Sequence, residues 1–197
     1  MHQGRPIWRV REAGIDDVSV LAALRRRLFE AMGYRDPDLL AGFEETCAAC
    51  FRRAIPAGEF RAWVAEADGK VIGSGGLVLH PLPPSPRNQA GKEGYIMSLC
   101  PLPEWRRRGI ATAILRAILD RLVREGVPMA SLHATGEGVP LYAREGFEKN
   151  TEMRLLLSVW SERRATQLEG QAPCPDRQSL PPDGPFCAPL PEERAAG

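Results

Sequence analysis

Apolar residues recur along the chain in two rhythms. Ile110, Ile114, Ile118 and Leu122 form one stripe at helical spacing, with Leu115, Leu119 and Val123 beside it. That period predicts a helix over residues 109–125, ended by Gly126. Val18, Leu21, Leu24 and Leu28 predict another, capped near Gly14 and Asp16 or Asp17 and stopped at Gly33. A third is predicted from near Pro37 to the breakers Pro56 and Gly58. The second rhythm is that of short β-rich runs. Two of them, in "RAWVAEADGKVIGSGGLVLH", flank Asp68-Gly69, the favoured two-residue hairpin turn. Further strands are predicted at Ile7 to Arg11, at residues 95–100 ("YIMSLC"), in "PMASLHA" and in "NTEMRLLLSVW". "PLPPSPRNQAGKEG" reads as an irregular loop. "GEGVPLYAREGF" reads as a short helix, with Pro140 near its first turn and Gly146 at its C-terminal cap.

The resulting order, β α α β β β α β α β, predicts a mixed α/β domain over residues 1–160. Residues 161–197 are dense in proline and lack periodicity, which predicts an extended or disordered tail. The 197 residues suffice for one core with length to spare. No apolar run approaches the ~20 residues of a membrane helix. "MHQGRPIWRV" lacks the apolar centre of a signal peptide. The five cysteines are odd in number and scattered, which suits a reducing compartment, so the expected location is cytoplasmic.

A net charge of +1 gives no overall field toward nucleic acid or an anionic membrane, so any basic function is local. Arg25, Arg26 and Arg27 lie off their helix's apolar stripe and read as a solvated face. Cys47 and Cys50, in "CAAC", share one side of a predicted helix. Zinc wants four ligands, and neither a second pair nor close histidines accompany them. A redox pair usually opens a helix instead of lying inside it. They read as buried small residues.

Arg106, Arg107 and Arg108 are different, because they stand between a strand and the clearest helix. A helix's first turn carries amide N–H groups without internal partners and about half a positive charge. Gly109 lets an anion approach the backbone, and Ala111 keeps the next position small. Arginine forks suit phosphate oxygens. The arrangement predicts a phosphate or pyrophosphate at this turn. The nucleotide-kinase string GxxxxGK[ST] is absent, and the dinucleotide fingerprint needs more than the one glycine here. Nucleic acid would want a wider basic face or stacking aromatics.

R-x-x-G-x-A, Arg106 to Ala111, resembles the acyl-CoA pyrophosphate loop of the GNAT superfamily of N-acetyltransferases. "SLHATGEGVPLYAREGF" follows at that superfamily's usual distance, with Tyr142, Gly146 and Phe147 in place. The hairpin resembles its second and third strands, and "WRVREAGIDDVSVLAAL" its first strand and helix. The likeness covers about residues 7–160. "LHATGEGVPLYAREGF" and "EMRL" resemble a bacterial subgroup.

The resemblance implies a central, mostly antiparallel twisted sheet flanked by helices. It implies direct acetyl transfer from acetyl-CoA to a primary amine of a small molecule or peptide, with no metal. By position, the Leu99 N–H would polarise the acetyl carbonyl, and Leu99, Cys100 and Pro101 would run beside the pantetheine arm. Proline has no N–H, so one customary hydrogen bond at position 101 is lost or passes to its carbonyl. Arg106, Arg107, Arg108, Gly109, Ile110, Ala111 and Thr112 would hold the pyrophosphate. Thr135 stands nearest to a customary asparagine, with a helix cap as its other reading. Tyr142 matches the general acid, with a packed tyrosine as its alternative. The base is open among His133, Glu30, Glu104 and a water chain. Phe29, Glu30, Met32 and Tyr34, with Asp36, are acceptor-side candidates, as is the loop over 80–93. Dimers are common in that superfamily, which points to a homodimer. A non-catalytic acyl-CoA sensor is the competing class.

Overall fold

A computed structural model describes residues 8–151 and Leu157. The chain divides into two units, Met1–Glu148 and Lys149–Gly197. The predicted final strand over 150–160 and the tail fall in the second unit. Apart from Asn150, Thr151 and Leu157 they lie outside the described residues.

The first unit opens with β1 (Trp8–Glu12), a 3-10 turn (Ile15–Asp17) and α1 (Val18–Ala31). Two helices follow, α2 (Pro37–Leu40) and α3 (Phe43–Ala54). Then come β2 (Arg61–Ala67), β3 (Lys70–Pro81) and β4 (Lys92–Pro101). The remainder is α4 (Ile110–Arg124), β5 (Met129–Leu132) and α5 (Val139–Arg144). The sheet order is β1-β2-β3-β4-β5. Neighbours are antiparallel except β5, which runs parallel to β4. The element pattern predicted the mixed α/β class, and the resemblance implied the mostly antiparallel sheet; both are found.

Alternation along β2 assigns the two faces. Trp63, Ala65 and Ala67 pack toward α4, whereas Ala62 and Val64 pack toward α1 and α3. The α4 stripe, Ile110, Ile114, Ile118 and Leu122, is buried with Leu115 against the first face. Each such side chain contributes about 1.5–3 kcal/mol by leaving water. Glycines bring α4 close to β3. A Cβ on Gly75 would stand 2.6 Å from Cγ2 of Ile114.

Four expectations change. The predicted second helix is two helices, because Gly42 takes a left-handed φ of 65° that no helix interior contains. Cys47 is buried but Cys50 is exposed, since three residues turn the helix by less than a full circle. Val123 lies past the edge of the α4 stripe and is 76% exposed. β4 begins at Lys92, not residue 95, because β3 and β4 extend together into the proline-rich segment. Buried Asn88 closes the loop between them: its side-chain amide donates to Lys92 O at 3.0 Å and its oxygen accepts from Lys92 N–H at 3.3 Å.

Candidate active site

The groove of interest begins where β4 loses a neighbour. β5 pairs with β4 only over Glu93–Ile96. β4 continues to Pro101, paired with β3 alone among the described strands. Within that stretch Ser98 and Leu99 stand opposite the single residue Gly75, a β-bulge. Ser98 has φ 54°, in the left-handed region. The open edge of β4 presents Leu99, Cys100 and Pro101 to the groove.

The chain then turns through Pro103–Trp105 toward α4. Arg107 and Gly109 adopt φ of 58° and 82°. The first bond of α4 runs from Ala113 N–H to Gly109 O at 3.0 Å, and no side chain caps the turn. The amides of Ile110, Ala111 and Thr112 therefore lie at an uncapped helix start. Arg106 and Arg107 line the groove beside them. The Arg108 guanidinium instead covers the Trp105 ring, 4.9 Å from its centroid.

α5 closes the far side. The Thr135 carbonyl accepts from Gly138 N–H at 2.9 Å and Val139 N–H at 3.2 Å, so its main chain organises the helix start. Tyr142 lies one helical turn on, its ring edge toward Phe147 with centroids 5.9 Å apart. Burial pushes the Tyr142 hydroxyl above the usual tyrosine range. The group thus stays protonated at neutral pH, the form needed in a donor. Burial likewise raises the Cys100 thiol, which nearby Arg106 and Arg27 oppose. A thiol held protonated is a poor nucleophile.

These three walls and the end of α1 enclose about 1180 Å³. That volume exceeds most drug-sized sites and suits a long ligand. Of the residues singled out by sequence, Leu99, Cys100, Pro101, Arg106, Arg107, Gly109, Ile110, Ala111, Thr112, Thr135, Tyr142 and Met32 line it. Arg108, Phe29, Glu30 and Tyr34 do not. Glu30 accepts from Arg26 Nε at 3.0 Å, one helical turn away. Phe29 sits edge-on to both Tyr34 and Phe43, with centroids 5.4 Å apart in each pair. The loop over residues 82–91 joins the far ends of β3 and β4, away from Leu99 to Pro101.

Sequence reading missed the rim pair Arg116–Glu145. Nε and Nη2 of Arg116 each lie 2.9 Å from a Glu145 oxygen, joining α4 to the end of α5. In sequence Arg116 is indistinguishable from any solvated helix arginine. His133, next after β5, is exposed, with Nδ1 2.6 Å from the Tyr95 hydroxyl. Among the described residues, no group of three or more His, Cys, Asp or Glu side chains is arranged to hold a metal ion. No helix among them is long and apolar enough to cross a membrane.

Comparison with known proteins agrees with this geometry. A solved GCN5-related N-acetyltransferase from Ralstonia eutropha is 31% identical, covers 77% of this chain and 99% of its own, and superposes with a TM-score of 0.71. A predicted acetyltransferase from Clostridium acetobutylicum, solved with acetyl-CoA, is 24% identical. It covers 76% of this chain and 96% of its own, with a TM-score of 0.67. An aminoglycoside N-acetyltransferase in complex with CoA shares the fold at 18% identity, covering 79% of this chain and 97% of its own, with a TM-score of 0.57. No curated protein matches the chain. The family model for acetyltransferases (GNAT) matches residues 30–147, which take in the bulged strand, the uncapped helix and Tyr142, and the chain belongs to that family.

Proposed function

We propose that the protein transfers an acetyl group from acetyl-CoA to a primary amine of a small molecule or peptide, by direct attack in a ternary complex. The observation that carries this reading is the single groove shared by the uncapped start of α4, the open edge of β4 and Tyr142. The α4 amides of residues 110–112, with Arg106 and Arg107, suit the two phosphates of the coenzyme. Arg108, engaged on Trp105, takes no part. Leu99, Cys100 and Pro101 lie along the route of the pantetheine arm.

When bound, the coenzyme supplies an already activated thioester. The chain's own residues then have three tasks. They bring amine and carbonyl together, which alone can remove ~7–11 kcal/mol of barrier when alignment is good. The Leu99 N–H donates to the carbonyl oxygen on which charge develops, worth about 3 kcal/mol. The Tyr142 hydroxyl gives its proton to the departing thiolate, and the proton lost by the attacking nitrogen passes to solvent water, from which the tyrosine is reprotonated. No covalent enzyme species is needed, which fits a Cys100 thiol held protonated. Met32, exposed at the end of α1 with Leu28 and Ala31 beside it, borders the amine's side of the groove.

The test is thiol release from acetyl-CoA against a panel of polyamines, aminoglycosides, amino acids and peptide N-termini. Calorimetric binding of acetyl-CoA runs alongside. Turnover with one amine class supports the reading. Tight binding without turnover on any amine makes the protein a sensor instead.

A further inference from the structure

The bulge in β4 poses a mechanical problem that the sheet does not solve. Ser98 carries a Cβ yet takes φ 54°, a conformation uncommon outside glycine and the short amides. A bulged residue has lost its ladder partner, so strand pairing does not fix its rotation. Leu99 follows immediately, and the direction of its N–H depends on that rotation. Something other than the sheet must hold Ser98.

α1 supplies it. Nη1 of Arg25 donates to the Ser98 hydroxyl at 2.6 Å and lies 3.8 Å from the Met97 sulfur. The guanidinium carbon stands 5.1 Å above the centre of the Phe29 ring. Phe29 is itself wedged between Tyr34 and Phe43. The cation is thus seated on Phe29 of α1, which is braced by residues of the segments that follow, and its Nη1 holds the bulge. A planar guanidinium held on a ring loses little freedom when it forms such a bond. The sequence reading of Arg25 as part of a solvated face is corrected here: it is half-buried, while its neighbour Arg27 is exposed.

We propose that Arg25 is a positioning residue that fixes the Ser98 bulge and so aims the Leu99 N–H at the thioester carbonyl. The inference rests on the transferase reading above. It adds a residue that touches neither coenzyme nor amine and acts through Ser98 on the donor. It also ties the end of α1, where Met32 borders the groove, to the electrophilic end of the site.

The experiment uses the full-length protein and acetyl-CoA labelled with carbon-13 at the carbonyl. Isotope-edited infrared spectroscopy reads the carbonyl stretch of the bound thioester, and calorimetry reads its dissociation constant. In the wild type the stretch is expected below its value in water. In Arg25→Met, and independently in Ser98→Ala, it returns most of the way to the solution value while the dissociation constant changes less than about threefold. The double variant moves it no further than either single variant, because both break one link. A stretch in both single variants that stays at the wild-type position overturns the proposal, as does a double variant whose shift is the sum of the two. Failure of the wild type to bind acetyl-CoA overturns the transferase reading itself, a separate outcome.

Discussion

Asp17 holds one carboxylate oxygen 2.8 Å from Nη1 of Arg11 and the other 2.8 Å from Nη2. The Gly14 N–H donates to the same carboxylate at 2.8 Å. The carboxylate is buried, and the pair bolts β1 to the start of α1, the helix that carries Arg25. The Arg11 hydrogen bonds hold the Asp17 carboxyl below the usual carboxylate range; burial opposes this and the Gly14 bond assists it.

The sign follows from that direction. A carboxyl depressed in the folded state adds stability above its unfolded pKa, near 4, and the gain is lost as pH falls through the lower folded value. Asp17→Asn is expected to cost about 2 kcal/mol at pH 7, the low side for a buried pair because Arg11 is partly solvated. Urea denaturation at pH 7 and again near pH 3 checks it. The gap between wild type and variant must narrow at the lower pH; a constant gap contradicts the assignment.

Tyr142→Phe removes a hydroxyl that burial keeps protonated. Turnover is expected to fall about 100-fold, within the usual range for one general acid. Acetyl-CoA affinity should hold, since the proposed phosphate contacts lie at the start of α4. In the wild type the alkaline limb of turnover should lie above the ordinary tyrosine range, because the shift is upward. Full activity in the variant would remove Tyr142 from the mechanism.

Gly109 takes φ 82° at the start of α4, and Gly126 takes φ 66° just beyond its end. A Cβ at either meets nothing within 4 Å, so alanine imposes the same backbone penalty at both, about 1 kcal/mol. Only Gly109 faces the groove. Gly109→Ala is therefore expected to weaken acetyl-CoA binding by about tenfold, and Gly126→Ala to leave it unchanged at a similar loss of melting temperature. Equal affinities for the two variants would contradict a phosphate site at this turn.

Much of this architecture is local chemistry and so was legible in the residues. The α4 stripe repeats at helical spacing. Asp68-Gly69 can adopt the paired positive φ of a tight hairpin, 48° and 73° in the structure. The arginine loop is contiguous, so Arg106, Arg107 and Gly109 arrive at the groove together. What escaped was long-range. Arg25 meets Ser98 across 73 positions and Arg116 meets Glu145 across 29. Nothing in the periodicity of α1 or α4 distinguishes either arginine from its solvated neighbours. The break at Gly42 was masked because Leu40, Phe43 and Cys47 keep a helix-like spacing across it. Phe29 and Tyr34 pack edge to face on each other, an arrangement that sequence cannot separate from ligand contact.

The contact between Gly75 and Ile114 couples the core to the site. A Cβ at position 75 would stand 2.6 Å from Cγ2 of Ile114 and 3.1 Å from Cδ1 of Leu99. Cγ2 is bonded directly to the Ile114 Cβ, so no end-of-chain rotation relieves the clash, and Ile114 is fully buried. α4 must lift away from β3, or the bulge must move. Gly75→Ala is expected to lose about 1–3 kcal/mol, the usual cost of overpacking. Ile114→Ala alone leaves a cavity and costs about 2–5 kcal/mol. It also removes the offending methyl, so the double variant should lose less than the sum of the two single losses, a coupling that independent sites lack. If Gly75→Ala is as stable as wild type, α4 does not sit as tightly on β3 as this geometry requires. If the double variant instead loses the sum of the two single losses, the two residues do not press on each other.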